Sequence, residues 1–348
     1  MALLFLDSFD HYSTSQNSRK WTIAGSNAHP TGRTNNGVEV SGGSTMLKTL
    51  MEEYVSVTAG GAYKTAGFAN AIFTISNVAR GNVPTVKLDH VGDGRLRMNI
   101  GNTNTTPFSN FTVNTNEWYF VELNATIAAV GGTGTDSSNV KTAYTVRVNN
   151  NQIANGTVTN SGDYYGTGSG NLNYANVKIE GPGGGLTAIH DDLYISDGEF
   201  LGDIRVYVLR PNDNHATSDW AQGGTSTGTN DYNFINDTNP NDDTGYLLST
   251  ATNQVQFTEM EDITGFSGSI KGAQAVWCME KSDGGEGIFQ GLLLDGTGTG
   301  GTHTSSIWYP SYASYLFFHK GYSTSPFTGT SWTETEIDAI KQGEKRTG

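Results

Sequence analysis

The chain is poor in cysteine, proline and positive charge. Cys278 is its only cysteine in 348 residues, so no intrachain disulfide can staple the fold. Cys278 sits in the apolar run Ala275–Met279 and reads as a buried strand residue. Proline numbers only 8, and the 45 glycines follow no fixed period, which excludes a collagen-like chain. Lys and Arg total 20 against 34 Asp and Glu, a net charge of −14. That balance excludes nucleic acid or an anionic membrane as the main partner, and it would attract divalent cations. Long hydrophobic runs are missing as well. Leu3–Leu6 is closed by Asp7, too short for the core of a secretory signal, and no stretch approaches a membrane span. The expectation is a protein made and kept in a cytoplasm, with no membrane insertion.

Catalytic signatures are also lacking. Glycan-cleaving β-sandwich enzymes place two carboxylates on one strand face, in a Glu-x-Asp-x-Glu pattern, which does not occur here. Glu259 and Glu261 could share a strand face but bring no third group. No Gly-x-Ser-x-Gly stands in a strand–turn–helix context, and no His-x-His or His-x3-His pair suggests a transition-metal site.

What is present is β-sheet material. Aromatics make up 11% of the chain, too many for disorder, and Gly-rich turns separate runs of Tyr, Phe, Val and Thr. Alternation predicts strands at Leu3–Phe9, Gly37–Val40, Met46–Leu50, Glu53–Thr58 and Lys64–Ala69, and the more continuously apolar Ala71–Ile75 reads as a strand buried on both faces. Alternation continues at Thr85–His90 and Arg95–Ile100, joined by a Gly92-Asp93-Gly94 turn, and at Trp118–Ile127 with Glu122 on the wet face. Tyr144–Asn149 should pair with Gln152–Gly156 across an Asn-rich turn. Val177–Glu180 and Ala188–Ser196 close the series. The strand spacing is that of a sandwich or jelly roll. The reading is all-β: two antiparallel sandwiches, residues 1–198 and 199–348, with a short C-terminal helix. Phe200–Val208 opens the second domain as a strand, and Asn212–Asp243 is a long polar loop. Gly245–Leu248, Gln254–Phe257, Ile270–Glu280, Gly287–Leu294, Ser306–Tyr309 and Tyr315–Phe318 supply further strands. Thr333-Glu334-Thr335-Glu336 is a capping box for the helix, Ile337 and Ile340 mark its apolar face, and Gly343 stops it.

Three places invite ligands. Asp237, Asn239, Asn241 and Asp243 alternate oxygen donors as calcium loops do, and Ca2+ is the ion such a loop would take; no other cofactor is implied. Tyr164 and Tyr165, and Trp308 and Tyr309, lie in Gly/Ser-rich surroundings where flat rings suit sugars or protein partners. His190, Asp191 and Asp192 are the third place. On a regular strand neighbouring side chains face opposite ways, so these three cannot meet one ion, and Asp192 is read as holding a loop backbone.

In order and spacing the segments resemble bacteriophage virion proteins with a concanavalin A-like (laminin-G-like) jelly roll. The likeness runs through Leu3–Tyr12, Lys20-Trp21, Gly32-Arg33, Asn116–Glu122, Val146–Asn149 and Asp191–Asp197. It continues in Phe200–Val206, Leu209–Asn212, Asp237, Pro240–Thr244 and Trp332–Ile337, and departs at Gly296–His303. The resemblance implies a non-enzymatic virion structural protein, assembled in the host cytoplasm as a tail, fibre or head-decoration component. Its partners would be other virion proteins and further copies of itself, with host-surface glycan at its loops. The alternative is a depolymerase on the same fold, which requires two carboxylates in a groove.

Overall fold

Two sets of antiparallel strands make up this computed structural model. It describes residues 2–68, 71–77, 85–101, 103–108, 110–131, 139–160, 173–226, 228–282, 287–297 and 301–348. The chain divides into two compact units. One comprises Met1–Phe9 with Thr14–Val206, the other Asp10–Ser13 with Tyr207–Gly348. The sequence put the boundary after Gly198, whereas residues 199–206 group with the first unit.

The first unit contains β1 (Leu3–Asp7), β2 (Thr22–Ala24), β3 (Asn27–Ala28), β4 (Val38–Ser41), β5 (Thr45–Tyr54), β6 (Ser56–Thr65), β7 (Ala71–Ser76) and β8 (Val86–His90). It continues with β9 (Leu96–Ile100), β10 (Thr103–Asn104), β11 (Tyr119–Gly131), β12 (Asn139–Val148), β13 (Asn151–Asn160), β14 (Tyr174–Glu180) and β15 (Thr187–Ser196). One sheet runs β13-β12-β11-β6-β15-β4-β3 with β1 also on β15, and the other runs β10-β9-β8-β7-β14-β5-β2. Side chains from both sheets meet in the core: Tyr63 of β6 stacks on His90 of β8, and His190 of β15 lies against Phe73 of β7. All of β7 is buried, Thr74 and Ser76 along with Ala71, Ile72, Phe73 and Ile75, so the strand is covered on both faces. The run Glu53–Thr58 is split by Val55, so its halves belong to β5 and β6.

Glu122 corrects the expectation of a wet face, because it is fully buried. Residues 199–206 lie over that side of the sheet. Leu201 joins a cluster with Leu3, Ala62, Phe120 and Tyr194, against which Ile204 packs. This segment is not the predicted strand. Its backbone bonds go to side chains of the sheet instead of to a neighbouring strand.

The second unit contains β16 (Pro211–Ser218), β17 (Ala221–Gly224), β18 (Gly245–Leu248), β19 (Val255–Met260), β20 (Ala273–Met279), β21 (Phe289–Leu294), β22 (Thr302–Trp308), β23 (Leu316–Tyr322), helix α1 (Glu334–Ala339) and β24 (Lys341–Arg346). A five-stranded sheet runs β16-β19-β24-β21-β22, with β17–β18 and β20–β23 as two-stranded ribbons. Trp277, Phe289, Leu293, Trp308, Tyr322, Trp332 and Ile337 form its core. Gly291 leaves space for the tryptophans: a Cβ there would stand 2.6 Å from Trp277 and 2.7 Å from Trp308. The segment expected as one polar loop, Asn212–Asp243, holds β16, β17 and two 3-10 turns.

The capping box of α1 forms as predicted, with Thr333 and Glu336 each serving the other's backbone N–H. The helix is shorter than expected. Ile340 turns to extended backbone, and the next six residues become a strand bonded on both sides, to β19 and β21. Gly343 is therefore a strand residue and not a helix stop. A helix of under two turns adds little by itself, while a central strand gains two ladders.

Candidate functional site

The Asp191–Asp192 corner is built by a break in β15. The pairing of β15 with β6 shifts between Asp191 and Tyr194, and Asp192 takes a left-handed backbone, φ 49°. The strand is thus irregular where regularity was assumed, and the two carboxyl groups turn toward one corner while His190 enters the core. Asp191 Oδ2 accepts from the backbone N–H of Arg33 (2.7 Å) and Thr34 (3.0 Å), and its Oδ1 accepts from Asp192 N. Burial, and then the neighbouring Asp192, push the Asp191 carboxyl up to about 7. Asp192 Oδ1 accepts from Val206 N at 2.8 Å, so it holds a loop backbone. Arg205 Nη1 approaches its Oδ2 at 3.4 Å, and Arg33 forks onto Asp203 at 2.6 and 2.9 Å. Nearby, Glu122 accepts from the Tyr194 hydroxyl and from Gly202 N, and burial raises its carboxyl. Both carboxylates of the corner are fully buried and spent on backbone, Asp191 holding residues 33–34 and Asp192 holding Val206. Its work is structural.

The second unit gathers a surface of a different kind. Trp308 lies in the core at 5% exposure, 4.8 Å from Trp277 and 5.6 Å from Phe318 by ring centroid. It is not a surface ring, because β22 turns it to the same side as its register partner Phe289. Tyr309, the next residue, is 70% exposed, and Tyr312 is 62% exposed. The loop carrying them is fixed by Lys281, whose N–H donates to Ser311 O (2.9 Å) and whose carbonyl accepts from Ala313 N (3.0 Å). Ala313 takes φ 51° to make the turn. The Tyr315 hydroxyl then donates to Asp243 Oδ1 at 3.2 Å. Burial raises the Tyr315 phenol, and Glu280, Asp243 and Asp242 raise it further, so it stays a donor. Two segments that the sequence treated separately, the Asp/Asn stretch and the tyrosine loop, are therefore neighbours. Tyr312 and Tyr315 were not singled out as site residues; their clustering around Pro310 and Ala313 was the signal available.

The remaining candidates fall elsewhere. Asp237 and Asn239 are exposed. Asn241 Oδ1 accepts from Gly245 N at 3.0 Å, spanning a 3-10 turn. Among the described residues no group of three or more His, Cys, Asp or Glu could hold a metal ion. Glu259 pairs with Lys341, and Glu261 accepts from Arg210 N at 3.0 Å. Tyr164 and Tyr165 lie outside the described residues. Cys278 is half-buried in β20.

No family model matches the chain, and no curated protein matches it in sequence. Several solved structures resemble it. Domain 4 of an extracellular GH43 arabinanase from Geobacillus stearothermophilus, solved with arabinotriose, is 16% identical; the match covers 56% of this chain and 94% of that one, with a TM-score of 0.37. The catalytic domain of a glycoside hydrolase family 131 protein from Coprinopsis cinerea is 12% identical over 59% and 98%, at 0.35. A carbohydrate esterase from the Shiga toxin-encoding bacteriophage phi24B is 11% identical over 55% and 98%, at 0.32. These scores are low, and the all-β assignment rests on the strand pairing above.

Proposed function

We propose that this chain is a non-enzymatic structural protein of a phage particle that works by surface contact, with the tyrosine loop of the second unit as a contact face for host-surface glycan. The observation that carries the reading is the pair of rings, Tyr309 and Tyr312, held 70% and 62% exposed on a braced loop beside Asp243 and Tyr315. Solvent-facing tyrosines offer flat apolar faces to sugar rings, and neighbouring carboxylates accept from sugar hydroxyls. The resemblance of the segment order to phage virion proteins supports the particle setting.

The test has two parts. Mass spectrometry and reconstruction of purified particles should find the chain as a stoichiometric component. Its absence from particles would overturn the structural role. Binding to host-cell surface polysaccharide should weaken roughly tenfold in Tyr309→Ala/Tyr312→Ala, the loss of one or two aromatic contacts. Unchanged binding would overturn the assignment of the face. Release of new reducing ends from that polysaccharide would overturn the non-enzymatic reading in favour of a depolymerase.

A further inference from the structure

A buried cluster of charge lies between the two sheets of the first unit. Asp7 ends β1 of one sheet, Lys48 belongs to β5 of the other, and Lys20 follows the 3-10 helix Thr14–Arg19. Lys20 Nζ stands 3.2 Å from Asp7 Oδ1, and both side chains are wholly shut off from solvent. The buried rings of Phe5, Phe9 and Trp21 pack together beside the pair. Both ions lose their hydration in such a site, and passing one proton from Lys20 to Asp7 relieves that cost. The neutral amine and carboxylic acid so formed are the two reactants of an amide condensation. Burial lowers the Lys20 ammonium toward the amine, and the Asp7 charge opposes only part of that. Two donors already hold the carboxyl: Trp21 Nε1–H donates to Oδ2 at 2.9 Å, and Phe9 N–H donates to Oδ1 at 3.0 Å. Phe9 takes a left-handed φ of 60° where it makes that bond, a conformation uncommon for a bulky residue. Lys48 is a second amine at the same place. It donates to Lys20 O at 3.2 Å and lies 4.3 Å from the Phe5 ring, which Lys20 faces at 5.0 Å. Burial and then the Lys20 charge bring Lys48 down to about 7, so it can both give and take a proton near neutrality.

We propose that Lys20 and Asp7 condense into an intramolecular isopeptide bond, a covalent staple between the two sheets of the first unit. Lys20 Nζ attacks Asp7 Cγ, one bond from the oxygen it already touches, and proximity of this kind supplies much of the rate of an intramolecular reaction. The Cγ–N bond forms and the Cγ–Oδ1 bond breaks. Of the three ammonium protons, one stays on the amide nitrogen and two leave with Oδ1 as water, so the ion pair holds every atom the reaction needs. Trp21 Nε1–H stabilises the charge that gathers on Oδ2 in the tetrahedral intermediate. Lys48, electrostatically coupled to both partners, carries a proton from the nitrogen to the departing Oδ1. The bond would join β1, paired in one sheet, to the residue that leads into β2 of the other. A chain whose only cysteine is Cys278 has no disulfide to do this. The inference is independent of the glycan reading, which rests on the second unit.

The experiment is intact mass spectrometry of the full chain, purified folded and then denatured. The parent should be lighter than its sequence by one water. Trypsin should release residues 1–19 joined to residues 20–33 as one branched species, since a modified Lys20 resists cleavage and Arg19 and Arg33 do not. Asp7→Ala should show the full mass of its own sequence. A parent at full sequence mass overturns the proposal. So does a loss of water that maps to an Asp-Gly pair such as Asp93-Gly94, which can cyclise without a lysine. Trp21→Phe keeps an aromatic ring and removes the donor; Lys48→Met keeps a long side chain and removes the amine. Followed after cell-free synthesis, each should lose water at least about tenfold more slowly than the parent. Unchanged rates in both would overturn the roles given to Trp21 and Lys48. The mass of the parent decides the bond itself, whether or not either variant folds.

Discussion

At the residue scale, buried ionisable groups carry the sharpest consequences. His190 is fully buried in the core of the first unit, and burial pushes its pKa down to about 3, a backbone hydrogen bond at Glu180 opposing only part of the shift. The unfolded chain takes up the proton near the ordinary value, while the folded chain refuses it. His190 therefore costs stability progressively as pH falls below its ordinary pKa toward 3. His190→Leu should be nearly neutral at pH 7, and its gain over the parent should grow to on the order of 2 kcal/mol by pH 5, read by denaturant titration at each pH. Glu344 of β24 runs the other way. Burial pushes its carboxyl up to about 8, above the unfolded value, so the native state holds a proton that the unfolded chain has lost. The stability it confers is complete below the ordinary carboxylate range and is lost as pH rises through 8. Glu344→Gln should be more stable than the parent at pH 9 and equal to it at pH 4. The difference should be on the order of 2 kcal/mol after allowance for the side chain's partial contact with water.

At the element scale, the hairpin between β12 and β13 shows how much one turn can hold. Asn149 and Asn150 both take positive φ, 48° and 67°, the conformation that a two-residue hairpin turn demands. Both side chains are also engaged: Asn149 Oδ1 accepts from Phe120 N at 2.8 Å, and Asn150 Oδ1 from Asp203 N at 2.7 Å. Asn149→Ala should lose on the order of 2 kcal/mol by denaturant titration, combining left-handed strain with a lost hydrogen bond. That hairpin was legible because Asn-rich turns and alternation are local signals. The capping box of α1 was legible for the same reason. β24 was not, because Lys341–Arg346 follows a helix signal and becomes a strand only through partners nearly fifty residues or more away in sequence, at Val255–Glu259 and Phe289–Leu294. Nor was the burial of Glu122, which depends on where residues 199–206 come to lie. Within the candidate site, Tyr309 could be read from sequence. The approach of Asp243 to Tyr315 could not, since it is a contact across 72 positions.

At the scale of the whole molecule, each unit has its own core, one around the rings of Tyr63, His90 and His190, the other around Trp277, Trp308 and Trp332. Scanning calorimetry should resolve two transitions, with His190→Leu shifting one and Glu344→Gln shifting the other. A single transition moved by both substitutions would show that the units melt as one. The chain does not visit these units once each. Tyr12, 1% exposed, belongs with the second unit, where its ring lies 5.5 Å from that of Phe317. Residues 10–13 are therefore second-unit residues placed between first-unit segments that end at Phe9 and resume at Thr14. No single peptide-bond cleavage can separate the units cleanly. A protease cutting between Val206 and Tyr207 would leave Tyr12 on the other fragment, still seated against Phe317. The nicked protein should stay together in native gels and come apart only when the second unit is unfolded.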